Sequence, residues 1–338
     1  QTVAGGGTFS IASGGLMRIG SADGITASAA SGNIQTTTRT FSSAANYAYE
    51  GTAAQAAGDG LPSSINNLTV NNSAGVTLAA NVTVNGVLAL TSGRLATGSN
   101  TVSVAATGNS LTGASAANYI NGNLQRAVAA GASTLAFPVG DATSYTPVSL
   151  AFGAGNTEGN VTASATAAGG PAAAGANPTG SGLSQSSYIN RKWTLTSDIS
   201  NPDYAATFTY INPGDVVGGA NTNDLLVAKN SGGVWSQPGV ATSTAPSVTT
   251  VSGLTSFSDF YLGETGSCTN NTFSGTGNWS DGTKWTCGAP PNSTDNVTIA
   301  ASANATLDVD FTVAGSLVMT ATSTLTVNPT RTLTVSGT

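Results

Sequence analysis

Along this chain, apolar residues alternate with polar ones in short runs that break off at Asn, Gly or Ser. Leu68-Thr-Val70, Val82-Thr-Val84, Val297-Thr-Ile299 and Leu333-Thr-Val335 each put two apolar side chains on one side of an extended backbone and a threonine on the other. A period of two marks a β-strand with one buried face. Residues 66–90 (NNLTVNNSAGVTLAANVTVNGVLAL) align without a gap on residues 295–319 (DNVTIAASANATLDVDFTVAGSLVM). Leu68 and Val70 match Val297 and Ile299, Val76 and Leu78 match Ala305 and Leu307, and Val82, Val84 and Gly86 match Phe311, Val313 and Gly315. Within each copy the strand-like runs recur every six to ten residues. That spacing predicts a solenoid, each strand stacking about 4.8 Å from its equivalent in the next coil.

The first residues extend the pattern. GGGTFSIASGGLMRIGSADGI places Phe9, Ile11, Leu16 and Ile19 on short strands split by glycine turns, and Tyr47 and Tyr49 alternate further on. At FPVGDATSYTPVSLAF (137–152) longer runs begin: 160–167, 188–198, 206–211, 224–230, 233–237, 247–254 and 257–264. Strands at this spacing predict an antiparallel β-sandwich, with Trp193 and Trp235 in its packing and the Gly/Ala/Pro stretch 169–182 as an exposed loop. From SCTNNTFSGTGNWSDGTKWTCGAPP onward the solenoid pattern returns, and the NWSDGTKW segment is expected to cap its first coil. The predicted fold is all-β: β-solenoid segments at 1–130 and 265–338 flanking an Ig-like antiparallel sandwich at 131–264.

The segments GxFxIxxGGxxxIGSADGI, SGNIQ, TRTF, NYxYxGxxxQ, NNLTVNN, LxLTSGxL and FPVGD with YxPV cover most of the chain. In this combination it resembles the large, repetitive, adhesin-like surface proteins of the Bacteroidetes type. The resemblance implies solenoid and sandwich modules, a secreted, cell-surface location and export by the type IX system.

Composition narrows the functional classes. Charged residues are 7% of the 338, there is no histidine, and glycine numbers 43; ordinary globular chains carry about 25% charged residues. Nine Lys and Arg with a net charge of −6 leave no basic stripe for nucleic acid. No apolar run of about 18 residues predicts membrane insertion. Without histidine no Ser/His/Asp or Cys/His arrangement can be built, the glycine-rich runs lack the lysine of a phosphate loop, and no cofactor or metal is expected. Asp308 and Asp310 share an outer face roughly 7 Å apart, a separation suited to an inverting glycosidase pair. However, the aligned copy has Ala79 and Asn81 there, so the pair reads as a solvated face. Trp279 and Trp285 are candidates for glycan contact, and more simply cap residues. Cys268 and Cys287, an even pair in an exported chain, are expected to form a disulfide, contributing about 3 kcal/mol in the chain-entropy model.

No segment like NWSDGTKW stands before TFSI, and the last residues, TLTVNPTRTLTVSGT, read as strand, turn, strand. The expectation is a solenoid open at both ends. Copies of the chain would then stack head to tail through Thr8, Phe9 and Ile11 on one side and Leu325, Val327, Leu333 and Val335 on the other. Contacts of this kind that do not close make filaments. The expected function is thus a noncatalytic extracellular filament subunit. The alternatives are a monomeric adhesin or stalk whose partners are surface glycans, and a carbohydrate-active β-helix enzyme.

Overall fold

The structure, a computed structural model, describes residues 2–108, 110–167, 170–171, 181–266, 270–287, 290–291, 293, 295–313 and 315–336. Its regular elements are β-strands, with almost no helix. They fall into two compact units: Gln1–Ala167 with Trp193–Ile211 and Thr249–Ser258, and Ala168–Lys192 with Asn212–Val248 and Asp259–Thr338. Each contains a β-solenoid.

In the first unit the solenoid has three faces. One stacks Leu16–Ile19, Asn46–Tyr49, Leu68–Asn71, Leu88–Ser92 and Leu111–Thr112, all parallel. The second stacks Gln55–Ala56, Val76–Thr77, the starts of Leu95–Val104 and Ile120–Val128, and Val139–Gly140. The third stacks Ser64–Ile65, Val82–Val84 and the later halves of the same two long strands. Those long strands turn the corner between faces, where their pairing register shifts between Ala96 and Thr101. Alternation sends one side chain in two to the interior, so apolar columns run from coil to coil: Met17, Tyr47, Leu68, Leu88 and Ile19, Tyr49, Val70, Leu90, all buried. Leu16 therefore faces solvent and Met17 the core.

The same unit then changes strand direction. Ile120–Val128 pairs parallel with Leu95–Val104 along one edge; along the other it takes Val139–Gly140 parallel at its start and Gly159–Thr166 antiparallel beyond. Ser133–Phe137, Val148–Phe152 and Tyr204–Thr209 form a second antiparallel set. Trp193 is buried, its ring 5.1 Å from that of Phe208 and its Nε1 donating to the Thr146 carbonyl at 3.0 Å.

In the second unit Leu226–Ser231 pairs antiparallel with Asp259–Thr265 and Val234–Ser236. A buried ion pair joins Arg191 to Asp215 at 2.9 Å, and Trp235 packs on Tyr261. Most of the predicted loop 169–182 lies outside the described residues. The solenoid of this unit again has three faces. Asn270–Phe273, Asn296–Ile299 and Leu317–Met319 stack parallel, as do Thr276–Asn278, Asn304–Leu307 and Thr324–Val327, and Phe311–Val313 with Leu333–Val335.

The two aligned sequence copies are equivalent coils, strand for strand, and their corners are made the same way. Asn67 Oδ1 accepts the Val87 amide (2.6 Å), and Asn296 Oδ1 accepts the Ser316 amide (3.1 Å). Both side chains bridge to the next coil, which satisfies an amide that no ladder reaches at the bend. The glycine at each bend is there for space. A Cβ on Gly86 would lie 2.3 Å from Asn67 Oδ1, and one on Gly315 would lie 2.6 Å from the Asp295 carbonyl.

Candidate functional site

The site is the outermost described coil of the second solenoid. In the coil beneath, Ile299, Leu307 and Val313 are inward residues, one per face, each 0% exposed. Their register partners one coil on are Met319, Val327 and Val335, which are 44%, 41% and 51% exposed. The same three-sided section that buries its apolar residues in one coil leaves them bare in the next. Leu325 and Leu333, predicted at this site, are half-buried and pack on the core beneath. Among the described residues, each of the three strands of this coil pairs along one edge only. Its other edge presents backbone N–H and C=O groups to a further strand. Sequence reasoning named four residues here and missed Met319, although the aligned copy signals it: Met319 stands opposite Leu90, an inward core residue.

At the other predicted site, Val3–Ile11 pairs, among the described residues, with Ile34–Phe41 alone. Thr8 is exposed, and Phe9 is half-buried with its ring 5.8 Å from that of Phe41. Ile11 is already covered, so the apolar opening is made by Phe9 with the exposed Val3 and Leu16. These line a groove of about 470 Å³ together with Ile11, Met17 and Ile34.

Trp279 and Trp285 are core residues. Their rings meet edge-on at 4.7 Å, Trp285 lies 5.1 Å from Phe273, and Trp279 lies 5.1 Å from Phe311. Trp285 Nε1 donates to the Trp279 carbonyl at 2.7 Å. Both side chains are buried, as suits residues that cap a coil; this corrects the alternative of glycan contact, because stacking needs an open ring face and these faces are filled by the coil they close. Cys287 is buried beside this cluster, its Sγ 3.8 Å from the Asn270 carbonyl oxygen. Cys268 lies outside the described residues.

The two carboxylates weighed for catalysis are tied into the scaffold. Asp310 Oδ1 accepts the Thr332 amide at 2.9 Å, as Asn81 Oδ1 accepts the Thr101 amide at 2.9 Å in the aligned coil. Asp308 accepts the Ser280 amide (3.0 Å) and hydroxyl, which holds the loop between the two tryptophans. These bonds from Ser280 keep the Asp308 carboxyl below its ordinary range. Among the described residues no group of three Asp, Glu, Cys or His side chains is placed to hold a metal ion, and no helix is long and apolar enough to cross a membrane. Compared with protein-family models, curated proteins and solved structures, the chain finds no match, and the coil geometry alone carries the functional reading.

Proposed function

We propose that this chain is a noncatalytic, secreted structural protein, a surface-filament subunit that assembles by stacking one copy's coils on another's. The observation that carries the reading is the coil at 317–336: among the described residues, three apolar columns and three strand edges reach it with no further coil upon them. A coil of the same section fits it, and residues 3–19 form one. The aligned copies equate the Leu68–Asn71 face with the Asn296–Ile299 face, and the Val82–Val84 face with the Phe311–Val313 face. By position in the coil, Leu16–Ile19 of one copy therefore meets Leu317–Met319 of another, and Val3–Ile11 meets Leu333–Val335. Parallel ladders would continue across such a joint, and Phe9 would cover Leu333 and Val335.

On this reading the segments 1–130 and 265–338 are solenoids, and 131–264 is an Ig-like sandwich spacer. A Cys268–Cys287 disulfide ties the Trp loop to the strand that begins at Asn270. Negative-stain microscopy of the purified chain tests the reading. Long uniform threads are expected, and they should persist in high salt because few charges take part. Deleting 324–338, or placing proline at Leu333 and Val335, should leave folded particles and no threads. Separate short particles from the intact chain would favour a monomeric adhesin, and glycan turnover would favour an enzyme.

A further inference from the structure

The inward column Ile65, Val84, Val104 in the first solenoid ends on Arg126. A guanidinium stands where the preceding coils carry an aliphatic side chain, and Arg126 is 6% exposed. Its Nη1 donates to the Ala136 carbonyl and its Nη2 to the Gly108 carbonyl, both at 2.7 Å. Both acceptors are neutral. None of the ion pairs among the described residues includes Arg126, and its Nε is buried with no hydrogen-bond partner. A buried cation without a counter-charge costs several kcal/mol, and burial already pushes this guanidinium below its ordinary value. Of the fifteen acidic residues, none among the described residues forms an ion pair with it.

Arg126 forms one wall of a cavity of about 560 Å³, which is also lined by Thr107, Ser133, Thr134, Ser149 and Leu135. No acidic residue is among the described residues that line it. The Ser133 hydroxyl is a second buried polar group there without a partner. The volume is that of a small-molecule site and far exceeds a single ion. The wall offers one cation, several hydroxyls and a modest apolar surface.

We propose that this cavity binds a small hydroxylated carboxylate of the uronic acid class, with the carboxylate against Arg126 and the ring hydroxyls against Ser133 and its neighbours. The site is independent of the stacking ends. The carboxylate supplies the missing counter-charge through charge-assisted hydrogen bonds, and the ring hydroxyls match the Ser and Thr lining.

Isothermal titration of the full chain with sodium glucuronate, sodium acetate and glucose tests this. Saturable binding of glucuronate is expected, with weaker binding of acetate and none of glucose. Arg126→Gln should weaken glucuronate roughly tenfold or more, the loss that accompanies a charge-assisted hydrogen bond. Ser133→Ala, which removes a hydroxyl and little volume, should weaken it by about threefold with the circular dichroism unchanged. Should Arg126→Gln not fold, Ser133→Ala and the glucose comparison decide. Absence of saturable glucuronate binding, equal binding of glucose, or undiminished binding by either folded variant would overturn the proposal.

Discussion

Two coils of this protein face the same problem and solve it differently. Along Ile120–Val128 the first solenoid gives up stacking parallel strands: beyond Ile120 and Asn121, which still pair parallel with Val139–Gly140, an antiparallel strand, Gly159–Thr166, takes the edge, and one inward column ends on Arg126 bonded to two carbonyls. Ile120, Leu124 and Val128 are buried there. At 317–336 the second solenoid has the same section, ends its columns on Met319, Val327 and Val335, and leaves them about half exposed. A parallel coil has no edge that satisfies itself, so a reversal of strand direction, a polar plug or another coil must finish it. The first solenoid uses the first two. Among the described residues the second shows neither, and covering its three half-exposed side chains would stabilise it by on the order of 3 kcal/mol, before the cost of association.

The largest effect is expected where the second solenoid is closed, at its tryptophan end. Trp279→Ala should destabilise that solenoid by about 3–5 kcal/mol, measured as the loss of near-ultraviolet dichroism in urea. An effect below 1 kcal/mol would mean that the cap is dispensable and that the two ends of this solenoid differ less than their burial implies.

A paired substitution compares covered and bare coils directly. Leu307 and Val327 are register partners on one face. Leu307→Ala should cost about 2–5 kcal/mol, whereas Val327→Ala should cost about 1 kcal/mol or less in the dispersed chain. Equal losses would show that the terminal coil is already covered.

Smaller effects probe the corners. Asp310→Asn keeps the acceptor that Asn81 supplies in the aligned coil and should change stability by less than about 0.5 kcal/mol. Asp310→Ala removes it and should cost about 1 kcal/mol. Chemical denaturation of both variants checks this, and a loss in Asp310→Asn matching that in Asp310→Ala would point to the charge rather than the bond. The slightest effect is expected from Asp308. Hydrogen bonds from Ser280 lower its folded pKa beneath the ordinary 3.8. Its stabilising contribution is therefore complete above the unfolded value and is lost as pH falls through the folded one. Tryptophan fluorescence of the wild-type chain should lose stability more steeply with acid below that range than Asp308→Asn; parallel curves would contradict the assignment.

Much of this fold was legible in the sequence because a solenoid repeats its reasoning every coil. The alternation at Leu68-Thr-Val70 and its gapless match at Val297-Thr-Ile299 carried the strands, their faces and the equivalence of the two solenoids. What stayed hidden depends on register in space. In the run Leu16 to Ile19 either phase of alternation offers apolar residues, and only the pairing with Asn46–Tyr49 turns Met17 inward and Leu16 outward. Ile11 looked open because it alternates with Phe9 in the run TFSI, yet it is covered. The capping part of NWSDGTKW was legible, but the alternative of glycan contact at Trp279 stayed open until the ring was seen buried in the coil. Arg126 gave no signal at all: its place at the foot of an aliphatic column follows from the ladder with Val104.

Docking of another copy on the coil at 317–336 is checked by comparing the wild-type chain with Val327→Asp/Val335→Asp in analytical ultracentrifugation and microscopy. Both positions are exposed, so the variant should keep its circular dichroism and sediment as single chains, whereas wild-type protein should sediment as heterogeneous large species and form threads. Wild-type protein that stays single at high concentration, or a folded variant that still forms threads of the same length, would contradict it.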